Sequence, residues 1–251
     1  MQSSGNTVLI TGGASGIGLA LAKRFLALDN EVIICGRREE KLRQAKEEFP
    51  SLHTRVADIA NANDREALVK WTLNHFGRLN ILVNNAGIQN RIAIQKANFT
   101  WSEYQQEIAV NLEGPIHLTL LLMEHLQVMA QASIINISSG LAIVPATWAP
   151  IYSATKAALH SFSTSLRLQL EDTKIEVMEV LPPAVNTDLG GTGLHTFGAP
   201  LSEFADAVFA RLLAGEQEIG YGGTEERLHL TKKEQDTAAK QMWENFKHHN
   251  R

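Results

Sequence analysis

Short, continuously apolar runs alternate with helical patterns along most of this chain. The runs at 7–11, 31–35 and 81–84 are each four or five residues long. Strands this short and this apolar are typical of a parallel sheet that is buried on both faces. Because βα units joined by right-handed crossovers build such sheets, the rhythm predicts an α/β fold: a single Rossmann-type, doubly wound parallel sheet with helices on both faces.

The same patterns predict where each element lies. Strands are predicted at 7–11, 31–35, 53–56, 81–84, 133–137 and 175–181, and helices at 16–28, 39–49, 64–76, 103–129, 152–170 and 201–214.

Two segments depart from the alternation. Residues 186–200 contain four glycines and little periodicity, so we predict a lid over a ligand, with a surface insertion as the alternative. Residues 231–251 are strongly polar and predict a helix that docks on the body or on a second subunit. Its docking side chains would be Ala238, Met242, Trp243 and Phe246.

Composition limits the class of protein. The chain has 251 residues, of which 44% are hydrophobic, and no linker-like stretch divides it, so we expect one domain over 1–251. The net charge of -4 argues against a nucleic-acid partner. Cys35 is the only cysteine, which predicts a buried apolar role. No signal peptide or membrane span is recognisable, so we expect a cytoplasmic protein with no membrane partner.

A glycine-rich turn lies between the first predicted strand and helix. It reads Thr11-Gly-Gly-Ala-Ser-Gly-Ile-Gly18. Glycines permit a tight turn and close approach of a pyrophosphate, and the following helix N-terminus offers unpaired N–H donors. The spacing of Gly12, Gly16 and Gly18 matches neither the literal G-x-G-x-x-G fingerprint nor a P-loop, but the strand–turn–helix context predicts phosphate binding.

The residues after the second strand address the choice between NAD and NADP. An acidic side chain there would accept the ribose 2′-hydroxyl and repel a 2′-phosphate. This chain has Gly36, Arg37 and Arg38 instead. Because guanidinium groups suit a phosphate monoester, we predict NADP(H), with NAD(H) the less favoured cofactor. Pairing of both arginines with Glu39, Glu40 or solvent is the alternative.

A tyrosine and a lysine four residues apart predict proton-transfer chemistry. Tyr152 and Lys156 would share one helical face, and the adjacent positive charge would lower the pKa of the phenol. Ser139 follows an apolar run that predicts a strand, which places its hydroxyl at the carboxyl edge of the sheet, where open α/β sheets bind ligands. Tyr152 is therefore a candidate general acid or base.

Together these residues resemble the short-chain dehydrogenase/reductase family over nearly the whole chain. The turn at 11–18, the run Asn84-Asn-Ala-Gly87 and the set Asn111, Ser139, Tyr152 and Lys156 are similar to its cofactor turn, its signature after the fourth strand and its catalytic tetrad. The resemblance implies a mainly cofactor-binding part at 1–100, a catalytic and substrate part at 101–221 and a helical tail at 222–251. The cofactor residues it implies, with those predicted above, are Thr11, Gly12, Ser15, Gly16, Ile17, Gly18, Arg37, Arg38, Asp58, Ile59, Asn85, Ala86, Gly87, Tyr152, Lys156, Val185 and Thr187.

The chain departs from the family pattern at two places. Pro183 stands where glycine is usual after the sixth strand, and proline fixes φ and lacks an N–H, so the loop toward Thr187 is expected to sit differently. The tail from Gly222 onward matches the general pattern poorly. Chains of this outline occur among bacterial oxidoreductases named after the lipoteichoic-acid alanylation operon.

The implied function is NADP(H)-dependent interconversion of a carbonyl compound and an alcohol. Tyr152 would move the proton, Ser139 would bind the substrate oxygen, Lys156 would lower the Tyr152 pKa and bind the ribose, and Asn111 would hold a water or merely distort its helix. A sensor or scaffold with an NADP(H) site is one alternative, and an epimerase or dehydratase is another. The substrate is expected to be a small molecule in a largely apolar pocket, no metal is predicted, and a homodimer or homotetramer is expected.

Overall fold

The computed structural model describes residues 1–92, 94 and 100–249, and for His248 and His249 only the backbone. Its strands form one parallel sheet of seven in the order β3-β2-β1-β4-β5-β6-β7. The strands are β1 (Thr7–Thr11), β2 (Glu31–Gly36), β3 (His53–Val56), β4 (Leu79–Asn84), β5 (Ala132–Ile137), β6 (Ile175–Val180) and β7 (Glu218–Ile219).

Helices cover both faces of this sheet. They are α1 (Gly16–Ala27), α2 (Glu39–Glu48), α3 (Ala62–His75), α4 (Trp101–Ile108), α5 (Gly114–Gln127), α6 (Pro150–Gln169), α7 (Leu201–Leu213), α8 (Gly223–Arg227) and α9 (Lys232–His249). A π-helical turn, Ala109–Glu113, joins α4 to α5.

Strand β1 shows why the apolar runs are continuous. Val8 and Ile10 belong to one core cluster, with side chains of α1 and α7. Leu9 belongs to a second cluster, with side chains of α3, α5 and α6. Successive strand residues point to opposite faces, so a sheet covered on both faces needs apolar side chains at every position. The predicted fold class is confirmed.

The order of the strands creates a cleft beside β1. Strand β1 pairs with β2 on one side and with β4 on the other, so the chain leaves the two central strands in opposite directions. Ligands of open α/β sheets bind at such a switch point, outside the carboxyl ends of the strands.

The predicted helix over 103–129 is wrong as a single helix. Residues 101–127 instead form α4, the π-helical turn and α5. Pro115 lies at the start of α5 and cannot donate to the carbonyl of Asn111, which its ring also crowds. A wider turn of backbone accommodates that conflict.

The C-terminal part holds elements that the pattern did not reveal. Strand β7 has only two residues and α8 only five, too few for a periodic signal. Helix α9 confirms the predicted tail helix, although Asn250 and Arg251 lie outside the described residues. Within the part of the chain described, no helix has both the length and the apolar character needed to span a membrane.

Hydrogen bonds join β1 and β4 at their carboxyl ends. The Thr11 hydroxyl accepts from the backbone N–H groups of Asn85 at 3.0 Å and Ala86 at 3.1 Å. The Asn85 side chain donates back to the Thr11 carbonyl at 2.8 Å. Thr11 is 1% exposed, so these groups have no ready access to water.

Thr11→Val tests this link. The substitution keeps the shape of the side chain but leaves the N–H groups of Asn85 and Ala86 without their acceptor. We expect the free energy of unfolding to fall by about 1–3 kcal/mol, measured by urea denaturation. Thr54→Val on the edge strand β3 is the matched control and should change stability by less than about 0.5 kcal/mol. Equal effects of the two substitutions would contradict the assigned role.

Candidate active site

The glycine-rich turn forms one wall of the cleft at the carboxyl end of β1. Gly12 and Gly16 have φ values of 64° and 55°, which glycine adopts without the strain that other residues meet. A Cβ on Gly12 would lie 2.8 Å from the Cα of Ala86. The backbone of the turn therefore packs directly on the run after β4, and its surface is open to a ligand.

Arg37 and Arg38 lie at the far end of this wall. The Arg38 guanidinium donates to the Ser15 hydroxyl at 3.1 Å, and Arg37 is 4.0 Å from the Asp58 carboxylate. Both arginines are exposed to solvent, and both line the cavity together with Ser15 and Asp58. Two cations thus stand where the sequence predicts the ribose phosphate.

Ser139, Tyr152 and Lys156 meet at the other end of the cleft. Ser139 follows β5, and Tyr152 and Lys156 lie on one face of α6. The Lys156 ammonium donates to the Ile137 carbonyl at 2.8 Å and lies 5.6 Å from the centre of the Tyr152 ring. Ser138 is turned away, since its hydroxyl donates to the Val180 carbonyl at 3.2 Å. This geometry favours Ser139 over Ser138 as the partner of Tyr152.

Burial controls the protonation of Tyr152 and Lys156. Tyr152 is 5% exposed and Lys156 is 3% exposed. Burial raises the pKa of Tyr152 to about 12; the Ser139 hydroxyl lowers that pKa and the charge of Glu107 raises it. Burial also lowers the pKa of Lys156 to about 8, and the negative charge of Glu179 acts in the opposite direction. The expected lowering of the Tyr152 pKa by Lys156 is not found, because desolvation outweighs the hydrogen bond with Ser139 and Lys156 is not among the groups that lower this pKa.

Asn111 lies in the π-helical turn, behind the wall of the same corner of the cleft. Its side chain accepts from the Ile88 N–H and donates to the Ile88 carbonyl, both at 2.9 Å. It also donates to the Thr155 hydroxyl at 3.2 Å. A Cβ on Gly87 would lie 3.4 Å from Asn111 Oδ1 and 3.6 Å from Lys156 Nζ. Asn111 therefore holds the segment after β4 against α6, beside Lys156.

The loop after β6 is held in place despite Pro183. The Pro182 carbonyl accepts from the Gly140 N–H at 3.0 Å, and Ala184 and Asn186 bond the backbone of Ala199 at 2.9 Å. Val185 is buried, and Thr187 lies beside the Gly16 turn. Both line the cavity, as the prediction for them requires.

One cavity of about 980 Å³ contains nearly all of these residues. Of the predicted site residues, Thr11, Gly18 and Asn111 lie behind its wall. Residues 186–200 form turns over the cavity, which is the position that a lid would occupy. The described lining also contains side chains that the sequence did not single out, namely His195, Thr224 and Arg227, together with Met242, which was predicted only as a docking side chain of the tail helix. They come from three separate segments of the chain, so no motif joins them.

Helix α9 reaches the end of this cavity at which Tyr152 lies. Phe246 stacks on Trp148 with ring centres 4.6 Å apart, and Met242 packs on the apolar cluster that contains Tyr152. Two of the four predicted docking side chains therefore contact the body of the same chain.

One cluster among the described side chains has the donor atoms of a metal site. Donor atoms of His160, Glu179 and Glu218 lie within 4.8 Å of one another. His160 pairs with Glu179 at 2.8 Å, and Arg167 pairs with Glu218 at 3.0 Å. Charge pairing accounts for this cluster, and the absence of a metal stays a prediction. The side chains of His248 and His249 lie outside the described residues.

The fold and the cleft define a class: enzymes with a Rossmann-type dinucleotide site. A sequence model described as short chain dehydrogenase matches residues 6–195. The chain belongs to the short-chain dehydrogenase/reductase family, and it is an oxidoreductase that acts on CH–OH and C=O groups.

Relatives span nearly the full chain. An uncharacterized oxidoreductase DltE of Bacillus subtilis is 44% identical over 96% of this chain and 98% of its own, so the chain is DltE-like. An uncharacterized oxidoreductase of Thermotoga maritima is 34% identical over 88% of this chain and 89% of its own. A short-chain dehydrogenase of Sphingobium yanoikuyae, solved in complex with NADPH, is 27% identical with a TM-score of 0.77 over 86% of this chain and 87% of its own.

Lys156→Met tests the cost of burying the ammonium. The pKa of Lys156 is depressed from 10.5 to about 8 in the folded protein, so below pH 8 its charge is a penalty that the folded state carries. Between pH 8 and 10.5 the folded state releases the proton before the unfolded state does, and the penalty declines. We expect Lys156→Met to raise the free energy of unfolding by roughly 1–3 kcal/mol at pH 7 and by less at pH 9.5.

Urea denaturation at the two pH values measures both effects. Lys70→Met, at an exposed position of α3, is the matched control and should show no comparable dependence on pH. A Lys156→Met variant that is destabilised at pH 7, or a gain that does not shrink at pH 9.5, would contradict the pKa shift.

Proposed function

We propose that this enzyme interconverts a carbonyl compound and an alcohol with NADP(H), and that Tyr152 transfers the proton. One observation carries the proposal: the Tyr152 side chain and the glycine-rich turn line a single cavity at the switch point of the sheet. A cofactor on the turn and a substrate beside Tyr152 would therefore meet within that cavity.

The residues of the cleft fit a nicotinamide dinucleotide. The positive φ of Gly12 and Gly16 and the start of α1, which lines the cavity, suit a pyrophosphate. Arg37 and Arg38 suit a 2′-phosphate, and β2 ends on Gly36, so the last position of the strand holds no acid that would accept a free 2′-hydroxyl. The NADPH complex of the Sphingobium relative supports the same choice. Asp58 and Ile59 would lie near the adenine, and Val185 and Thr187 near the nicotinamide.

The bound cofactor would supply the hydride, and this chain's residues would manage the proton. In reduction, Tyr152 would donate its proton to the oxygen of the substrate while the Ser139 hydroxyl hydrogen-bonds the same oxygen. A phenol with a pKa of about 12 is protonated at neutral pH and is therefore ready to act as the acid. Lys156 would bind the ribose, and its charge would stabilise the phenolate that proton donation leaves.

Asn111 has a positioning role in this proposal. Its amide already bonds Ile88 and Thr155, and it stands beside Lys156. From there it would hold a water that returns a proton to Lys156. In the structural alternative, Asn111 only distorts its helix into the π-helical turn. That role is compatible with the same position.

The finer assignments of domain parts and partners are proposals as well. We place the cofactor mainly on residues 1–100, the substrate on 101–221 and a helical cover on 222–251, in a cytoplasmic enzyme. Leu120 on α5 and Leu168 on α6 are 60% and 64% exposed. Exposed apolar side chains on neighbouring helices support a homodimer or homotetramer.

Two alternatives are weaker. A sensor or scaffold would not need Tyr152, Lys156 and Ser139 buried together at the cavity. An epimerase or dehydratase of the extended type would bind its substrate on a separate C-terminal domain. Here the described residues after Thr187 add α7, β7, α8 and α9 to the same sheet and its cavity.

Tyr152→Phe tests the proton donor. Removal of the hydroxyl should lower kcat for NADPH-dependent carbonyl reduction by at least about 10²-fold, the usual worth of general acid catalysis. NADPH binding, followed by fluorescence titration, should stay within about twofold. Tyr221→Phe is the matched control, because the Tyr221 ring packs on Phe204 away from the reacting groups. Turnover by Tyr152→Phe at the rate of the control would remove Tyr152 from the mechanism.

The double variant Arg37→Gln and Arg38→Gln tests the choice of cofactor. Loss of two charge-assisted contacts should weaken NADPH binding roughly 10- to 100-fold and leave NADH binding within about twofold. Arg43→Gln on the exposed face of α2 controls for a change in net charge. Equal affinities for NADPH and NADH in the unmodified enzyme would refute the preference.

A further inference from the structure

Basic side chains gather at the substrate end of the cavity. Arg91 comes from the segment after β4, His195 from the loop before α7, and Arg227 from the end of α8. None of the three lies in a motif, and Arg227 lies beyond the residues that the family model matches. All three line the cavity that also contains Ser139 and Tyr152.

Arg227 lies near Gly140, the residue after Ser139, on a short helix that is anchored to the body of the protein. The Thr224 hydroxyl is buried in α8 and donates to the Leu181 carbonyl at 2.7 Å. Gly140, the residue after Ser139, has no room for a Cβ because Thr224 packs against it. That missing Cβ would lie 3.6 Å from an Arg227 Nη atom. The guanidinium therefore stands over the carboxyl end of β5.

The protein does not neutralise Arg227. Glu225 on the same short helix already pairs with Arg211 at 2.7 Å. No carboxylate of the described residues comes within 4.0 Å of the Arg227 guanidinium. Arg227 is partly buried, and desolvation lowers its pKa with no compensating partner. A buried cation without a counter-ion is costly, and an anionic ligand would remove that cost.

The backbone around Arg91 is fixed on both sides. Glu107, fully buried in α4, accepts from the Asn90 N–H at 3.3 Å and from its side chain at 3.1 Å. The Ile92 N–H donates to the Trp148 carbonyl at 2.9 Å. Because Asn90 satisfies Glu107, that carboxylate is not a partner for Arg91, and no ion pair of Arg91 occurs in the described structure.

His195 adds a buried polar group to the same wall. It is 9% exposed, and neither ring nitrogen makes a hydrogen bond of normal geometry to the described residues. Burial lowers its pKa, the charge of Arg91 lowers it further, and the Leu189 backbone acts in the opposite direction. A neutral imidazole with free nitrogens can donate one hydrogen bond to a ligand.

We infer that the substrate is a carbonyl compound with an anionic group, a carboxylate or a phosphate, bound by Arg227 with Arg91. The inference rests on the proposed function. The apolar wall of Leu141, Trp148 and Met242 would hold the carbon skeleton, with the carbonyl at Tyr152. Asp188, the one carboxylate of the described lining on this side, is exposed and sits next to Thr187 at the cofactor turn. The negative charge of Asp188 therefore does not neutralise Arg227.

Matched aldehydes test the inference. NADPH oxidation is followed with 4-formylbenzoate and its neutral counterpart 4-formylbenzamide, and with 4-formylphenyl phosphate and its neutral counterpart 4-methoxybenzaldehyde. We expect kcat/KM for at least one anion to exceed that of its neutral partner by about tenfold or more, and the preferred pair distinguishes carboxylate from phosphate. Calorimetric titration of the NADP⁺-loaded enzyme with the same four compounds measures binding independently of turnover.

Substitutions of Arg227 and Arg91 show which side chains give the preference for an anion. Arg227→Gln should lower kcat/KM and affinity for the anion about tenfold and leave the neutral probe within about twofold, whereas Arg227→Lys should retain part of the preference. Arg91→Gln should act in the same direction. Arg78→Gln, exposed at the opposite edge of the sheet where β4 begins, is the control for net charge and should change neither probe.

Failure of this inference is distinct from failure of the proposed function. No preference for either anion in the unmodified enzyme, including the absence of any binding, would overturn the anionic substrate. A preference that survives both Arg227→Gln and Arg91→Gln would overturn the assigned site. If Tyr152→Phe reduces the same aldehydes as fast as the unmodified enzyme, the proposed proton transfer fails, whatever the probe's charge.

Discussion

The hydrogen bonds of Thr11 to the run after β4 support the rest of the site. The two central strands send the chain in opposite directions, and nothing in their ladder alone determines how the loops beyond them meet. The Thr11 hydroxyl joins those loops by accepting from Asn85 and Ala86. Gly12 then packs on Ala86, so the surface that would receive a pyrophosphate is built from both strands at once.

Burial sets the protonation of Tyr152 and Lys156, and it does so at a cost to stability. Tyr152 and Lys156 are removed from water by the packing that places them at the cavity, and desolvation disfavours the charged form of each. The phenol is thereby kept protonated, which suits a proton donor. The ammonium is kept close to losing its proton near pH 8. Glu179, itself buried and paired with His160, moderates that loss from behind the site.

Elements in the last third of the chain complete the lining of the cavity. The family's motifs end before residue 195, whereas α8 and α9 supply Arg227, Met242 and the Phe246 that stacks on Trp148. A largely apolar pocket was the expectation from the residues around Ser139 and Tyr152. Arg91, His195 and Arg227 add basic side chains to its lining. On the proposed function, substrate selectivity would therefore depend on elements that carry no recognisable motif.

The sequence by itself determined the features that depend on near neighbours. Burial on both faces makes each strand an apolar run, and the spacings within 11–18 and from Tyr152 to Lys156 are set by one turn and one helix. The predicted helix over 103–129 failed because the conflict at Pro115 is resolved by a π-helical turn. Only the tertiary structure decided the protonation of Tyr152 and Lys156 and the grouping of Arg91, His195 and Arg227. Desolvation and convergence depend on which distant segments pack together, and local sequence patterns do not contain that information.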